Sequence, residues 1–205
     1  MKIKEETWNV VLVGKWNKYI LSPEWLAQNI FQVDKVQIEF GLNVDMPPRY
    51  TANNIRLTPS DDLVIFTSLS YDDSTLELMS SYCVSLFTKL SYTPIVACGI
   101  NFGFIDDTQI TPYDNLFRFD DESALVSTGS IVRSKTINRK LVLNENKILN
   151  FNLTQSSEGI SFDFNFHYDT KNCEDAIEAV RCIVENKNKA LHLLKTVYNM
   201  SLEEE

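Results

Sequence analysis

Apolar and polar residues alternate with a period of two along much of this chain, which is typical of strands that bury one face. The alternation is strongest near the C-terminal end, where the apolar positions are Ile160, Phe162, Phe164, Phe166 and Tyr168. Shorter stretches of the same kind recur upstream. The pattern predicts strands over 8–16, 35–42, 54–58, 63–70, 95–105, 125–134, 136–143, 147–153 and 159–168.

Three other segments carry apolar residues at helical spacing. Ser22 and Pro23 predict an N-cap and first turn for a helix over 23–31. Ser74 and Glu77 form a capping box ahead of a helix over 75–90. The last helix is expected over 173–200. Strands grouped in meanders with few helices between them indicate an α+β fold, with a mostly antiparallel sheet and helices packed on one face.

The sequence also echoes itself. Residues 57–66 resemble residues 153–162, and each copy runs through a Tyr-Asp pair into a helical segment. The echo predicts a β-hairpin followed by a helix, used twice as an internal pseudo-repeat. We therefore expect one α+β domain over 1–205, with related halves at about 35–105 and 125–200.

Charge and composition exclude several classes of protein. The formal net charge is -9 at pH 7, which disfavours nucleic acid because phosphate contacts need Lys and Arg. No apolar run has the length of a membrane span or of a signal peptide. Four cysteines lack CxxC spacing, which fits reduced thiols in the cytoplasm. We expect a cytoplasmic protein that binds neither nucleic acid nor membrane.

No catalytic or phosphate-binding motif is present, since GxSxG, Walker A and GxGxxG are all missing. We expect no cofactor. The ligand-binding candidates are Arg49 and Tyr50, in a Pro-rich loop, and Asn101 and His167 on strands. A guanidinium beside an aromatic edge suits an anionic or planar ligand.

Asn101 lies on a strand whose other face would be almost bare, with Ala97, Gly99 and Gly103 beside it. Such a face allows close approach to the backbone. It indicates either a helix pressed onto the sheet, a tight bend, or a floor for a ligand.

Two oppositely charged segments follow. The acidic one includes Asp106, Asp107, Asp120 and Asp121, whose oxygens suit Ca²⁺ or Mg²⁺, although a solvated acidic loop gives the same pattern. His167 with Asp163 or Asp169 is a further metal alternative.

The basic segment includes Arg133, Lys135, Arg139 and Lys140. It is a candidate interface that pairs with the acidic segment within one chain or across a dimer. The alternative is that both segments are exposed hairpin ends.

The strands over 125–168 followed by a long helix resemble, in the order of elements, the SecB-type export chaperones. That resemblance covers less than half of the chain and carries over no residues. It implies an acidic, cytoplasmic and oligomeric binding protein.

We expect a non-enzymatic binding or assembly module that self-associates as a homodimer and offers a surface to a protein partner. Two alternatives stay open. One is an enzyme that uses carboxylates or His167 on a small anionic substrate. The other is a protein that binds divalent cations through residues 106–122.

Overall fold

The structure is a computed structural model that describes residues 1–41, 46–107 and 113–203. Its strands are β1 Lys2–Ile3, β2 Asn9–Gly14, β3 Gln37–Glu39, β4 Arg49–Ala52, β5 Ile55–Pro59, β6 Leu63–Ser68, β7 Ile95–Asp106, β8 Lys135–Asn144, β9 Lys147–Ser156 and β10 Gly159–Asp169. Its helices are α1 Pro23–Leu26, which continues as a π-helical turn Ala27–Phe31, α2 Asp73–Lys89, α3 Glu122–Ser127, α4 Cys173–Arg181 and α5 Ile183–Tyr198. A 3-10 turn spans Asp114–Phe117.

The strands form one antiparallel sheet in the order β3-β4-β5-β6-β2-β7-β10-β9-β8, with β1 beside the end of β7. The two central strands, β2 and β7, pair with Val10 opposite Ile100. Helices α2, α4 and α5 contact β6 and β7. The expected α+β fold with a mostly antiparallel sheet is therefore confirmed.

One face of this sheet packs into the hydrophobic core. The residues of β10 alternate between buried and partly exposed, and its buried set continues across the neighbouring strands as rows of aromatic and aliphatic side chains. Phe164, for example, stacks on Phe151 of β9 with ring centroids 4.5 Å apart. Trp8 packs edge-on against Phe102 and Phe104 of β7. The side chains of β7, β9 and β10 that face the core are thus mainly apolar. The opposite face of these strands is partly open to solvent.

Helix boundaries differ from the expected ones in two places. Asp72, not Ser74, caps α2, because its carboxylate accepts the Thr75 N–H at 2.8 Å and the hydroxyls of Ser70 and Ser74 as well. These hydrogen bonds, with that from Ser70 the largest influence, hold the pKa of Asp72 well below its usual value. The expected helix over 173–200 is two helices, because the backbone leaves helical geometry at Cys182.

The strand expected over 125–134 is wrong. Its first residues belong to the short exposed helix α3, and Gly129 follows with a φ of +86°. Ser127, Thr128 and Ser130 favour local hydrogen bonds to nearby backbone and hydroxyl groups over a sheet ladder. The chain therefore turns here and reaches the sheet only at Lys135.

All four cysteines are free thiols, three of them buried. Burial raises the pKa of the Cys98 thiol to about 12. Among the helices of the described residues, none has the length and apolar character needed to cross a membrane.

Candidate functional site

The open face of the sheet brings two of the expected ligand residues close to each other. Asn101 of β7 lies opposite Asn165 of β10, and His167 follows two residues later on the same strand and face. Both belong to a polar surface formed by the residues that alternate with the core. The structure therefore places Asn101 and His167 on adjacent rows of one face.

A row of four asparagines crosses this face from β9 to β2. Asn150 donates to Asn165 at 2.9 Å, Asn165 donates to Asn101 at 2.6 Å, and Asn101 donates to Asn9 at 2.8 Å. Asn9 in turn donates to the backbone carbonyls of residues 6 and 7, both at 3.3 Å. Four amides thus form one head-to-tail chain, which we call the asparagine row.

The nearly bare face of β7 is this open face, and none of the helices in the described ranges is pressed onto it. A Cβ on Gly99 would come within 3.1 Å of the Asn165 amide nitrogen, and one on Gly103 would meet the Thr7 side chain. The missing side chains make room for groups from the neighbouring strands. Val96 is 60% exposed at the point where the pairing of β7 with β2 shifts register.

His167 has a polar partner on this face. Its Nε2 lies 3.1 Å from Oδ1 of Asp169. Within the ranges that the structure describes, no three side chains of the kinds that bind metal come together. The pair can orient an imidazole, but no further ligand for a transition metal is present there.

The acidic segment divides into separate parts. Asp106 is buried and Asp107 is exposed, where it pairs with Lys2 at 2.7 Å. The hydrogen bond from Lys2 lowers the pKa of Asp107 and the same bond raises the pKa of Lys2. Asp120 and Asp121 are exposed just before α3. Residues 108–112, which the sequence analysis includes in this segment, lie outside the described residues.

Arg49 and Tyr50 lie on β4, and three strands separate them from β7. They point to opposite faces, so Arg49 is exposed and Tyr50 is buried. Tyr50 lines a cleft of about 310 Å³ together with Pro23, Pro48 and Pro59. Burial raises the pKa of its phenol. Thus the four expected ligand residues do not form one site.

The basic candidates flank or lie on β8, which is an edge strand of ten residues. Lys135 pairs with Glu122 at 2.6 Å, and Arg139 donates to the hydroxyl of Tyr198 at 3.2 Å. Arg133 and Lys140 are exposed. The structure therefore pairs Lys135 with the acidic segment of the same chain and leaves Lys140 facing solvent.

Exposed apolar side chains gather in the same part of the molecule. Seven of the large hydrophobic residues that stand in solvent fall between residues 116 and 142: Leu116, Phe119, Leu125, Val126, Ile131, Leu141 and Val142. Ile131 is 86% exposed and Val142 is 74% exposed. In the described residues, backbone hydrogen bonds join β8 to β9 alone. The unpaired edge of β8 in the described residues and the exposed apolar residues that precede it in the chain are one candidate binding surface, which we call the β8 edge.

A second candidate site, which was not predicted from the sequence, lies next to α4 and α5. Lys147, Tyr168, Thr170 and Cys182 line a cleft of about 470 Å³. Lys147 is only 7% exposed. The signal was present in β9, because Lys147 occupies the inward register that continues through Leu149, Phe151 and Leu153.

No protein-family model matches this sequence, and no curated protein is significantly similar to it.

Proposed function

We propose that this protein is a non-enzymatic binding or assembly module that adds an extended segment of a protein partner to the β8 edge. The observation that supports this is the long strand β8, which within the described part of the chain is paired on one side only and is flanked by exposed apolar side chains. Edge strands in proteins are usually short, covered or interrupted, because free backbone groups recruit further strands. A ten-residue edge strand such as β8 is therefore unusual. The opposite edge strand, β3, has only three residues.

Charge favours an acidic partner segment. Lys135, Arg139 and Lys140 lie on β8, and Arg133 precedes it, although the whole chain carries a net charge of -9. Two copies of β8 paired around a twofold axis would bring six basic side chains to one seam, and like charges facing each other destabilise a strand pair. An acidic strand would instead gain both ladder hydrogen bonds and charge complementarity.

The homodimer expected from the sequence stays a prediction, and it would use a surface other than a β8–β8 seam. The exposed apolar residues between 116 and 131 supply one. The enzyme and the cation-binding protein remain alternatives that no observation in the described residues favours.

We also propose that the two halves repeat one module. Support comes from the pairing: hairpin β5–β6 joins β2 through β6, and hairpin β9–β10 joins β7 through β10. Each hairpin is followed by a helix. This connectivity favours a first unit that begins at β2, upstream of the boundary near residue 35 expected from the sequence.

Fluorescence anisotropy with two labelled ten-residue peptides tests the β8 edge, one alternating Glu with Val and the other Lys with Val. We expect the acidic peptide to bind, with an affinity that falls as salt rises. Lys140→Glu should weaken that binding about fivefold, since removing a charge pair at an exposed edge costs ~1 kcal/mol. Lys35→Glu, an exposed lysine near the opposite edge, is the matched control and should change nothing.

Binding of both peptides with equal affinity, or of neither, would overturn the proposal. Sedimentation of the same variants tests whether the β8 edge instead binds a second copy of this chain. A dimer that Lys140→Glu dissociates, without any binding of acidic peptide, would replace the acidic partner with a second copy of this chain.

A further inference from the structure

Lys147 places an amine where amines are rarely found. The residue is 93% inside the protein, and no carboxylate, carbonyl or hydroxyl of the described residues accepts a hydrogen bond from its Nζ. Its neighbours are two aromatic faces instead. Nζ lies 5.0 Å from the ring centroid of Tyr168 and 5.6 Å from that of Phe166. An ammonium loses its hydration when it is buried, and cation–π contacts recover only part of that lost stabilisation.

Polar atoms around this amine are also left without partners. Thr170 lines the cleft, and its buried hydroxyl has no hydrogen-bond partner among the described residues. The same is true of Oδ1 of Asn186, whose amide nitrogen contacts Tyr168 of the cleft wall. The amide nitrogen of Asn186 donates to the Tyr168 hydroxyl at 2.8 Å, which fixes the ring that Lys147 contacts. A cleft that contains an amine without a hydrogen-bond acceptor offers that amine to a bound molecule.

We propose that this cleft is a reactive-amine site, in which Nζ of Lys147 condenses with a small uncharged aldehyde to form an imine. The neutral amine attacks the carbonyl carbon, and the carbonyl oxygen takes up a proton to give a carbinolamine. Loss of the hydroxyl as water leaves the C=N bond, so that one amine and one aldehyde give one imine and one water.

Burial favours the neutral form of the amine, which is the form that attacks a carbonyl. An ordinary lysine, with a pKa of about 10.4, is neutral in only about 1 molecule in 2,500 at pH 7, and each unit of lowering raises that fraction tenfold. Burial is the dominant influence and lowers the pKa of Lys147. Glu185 and then Cys182 raise this pKa more weakly, and Lys189 of α5 lowers it by the smallest contribution. Desolvated lysines of this kind are the nucleophiles of carbonyl chemistry.

The cleft also indicates which aldehydes fit. Its remaining wall carries four carboxylates, those of Glu145, Asp169, Asp175 and Glu178. These repel an anionic carbonyl compound such as a keto acid or a phosphorylated aldehyde. The volume of about 470 Å³ suits a small molecule.

Reductive trapping on the unmodified protein tests this site. The protein is exposed briefly at pH 7 to a limiting amount of propionaldehyde with cyanoborohydride, and alkylation at each lysine is quantified by peptide mass spectrometry. We expect Lys147 to react at least tenfold faster than Lys35 and Lys195, which are exposed. The advantage should vanish in urea, where the local sequence alone determines the rate.

A second arm replaces propionaldehyde with the anion glyoxylate, and Lys147 should then lose its advantage. Reaction of Lys147 at or below the rate of the exposed lysines would overturn the proposal, and equal advantage with both aldehydes would overturn the choice of substrate class. Lys147→Arg keeps the cation and should abolish the fast phase. Because the site-resolved rates come from the native chain, the test stands even where that variant fails to fold.

Discussion

Replacing Asn165 by Ala should destabilise the protein more than replacing Asn150, which lies at one end of the asparagine row. Asn165 accepts from Asn150 at 2.9 Å and donates to Asn101 at 2.6 Å, so its loss removes two hydrogen bonds. Each is worth ~1 kcal/mol net, which predicts a loss of about 2 kcal/mol in the free energy of unfolding. For a domain of this size that corresponds to a fall of roughly 4–8 °C in Tm.

Asn150→Ala is the matched control, because among the described residues its side chain hydrogen-bonds to Asn165 alone. It should cost about 1 kcal/mol. Urea unfolding of both variants and of the double variant gives the coupling between the two residues. A double variant that costs the plain sum of the single losses, or an Asn165→Ala variant no less stable than Asn150→Ala, would refute the row as a stabilising unit. Water would then replace each amide equally well.

Two further predictions follow from buried and capping groups. Thr170→Val should raise the free energy of unfolding by ~1 kcal/mol, because it replaces a buried hydroxyl without a partner by a methyl of the same shape; a lower Tm would show that the hydroxyl has a partner in solution. Asp72→Asn should keep the cap of α2 but make the free energy of unfolding fall less steeply as pH is lowered. The folded-state pKa of Asp72 is depressed, so its contribution is present above the unfolded value of about 3.9 and is lost as pH falls below it. Stability of the two proteins measured between pH 2 and 6 should differ least at the acid end, and parallel curves would contradict the assignment.

The strands with one strongly buried face could be predicted from the sequence because burial imposes a period of two on them. For β10 the expected range of 159–168 is one residue shorter than Gly159–Asp169. Where tertiary contacts override the local pattern, prediction fails. Residues 125–134 have exposed apolar side chains and Ser, Thr and Gly that turn the chain, so their apolar content indicates a surface and not a strand.

The site could be predicted only in part, because it depends on register between distant strands. The sequence indicates that Asn101 and His167 are polar positions of strands. It does not indicate that Asn101 faces Asn165, since this pairing joins residues 64 positions apart. Lys147 carries a clearer signal, as a charged residue in an inward register, but its aromatic neighbours come from β10 and its cleft from α4.

Strand β7 cannot complete its backbone pairing when it is first synthesised. Its backbone bonds to β2 on one flank, which is already made, and to β10 on the other. The last residue of β10 lies 63 positions beyond Asp106, which a ribosome covers in roughly 3–13 s at about 5–20 residues per second. Throughout that interval Phe102 and Phe104 belong to an unfinished sheet, so the nascent chain is most prone to aggregate when half of it has emerged.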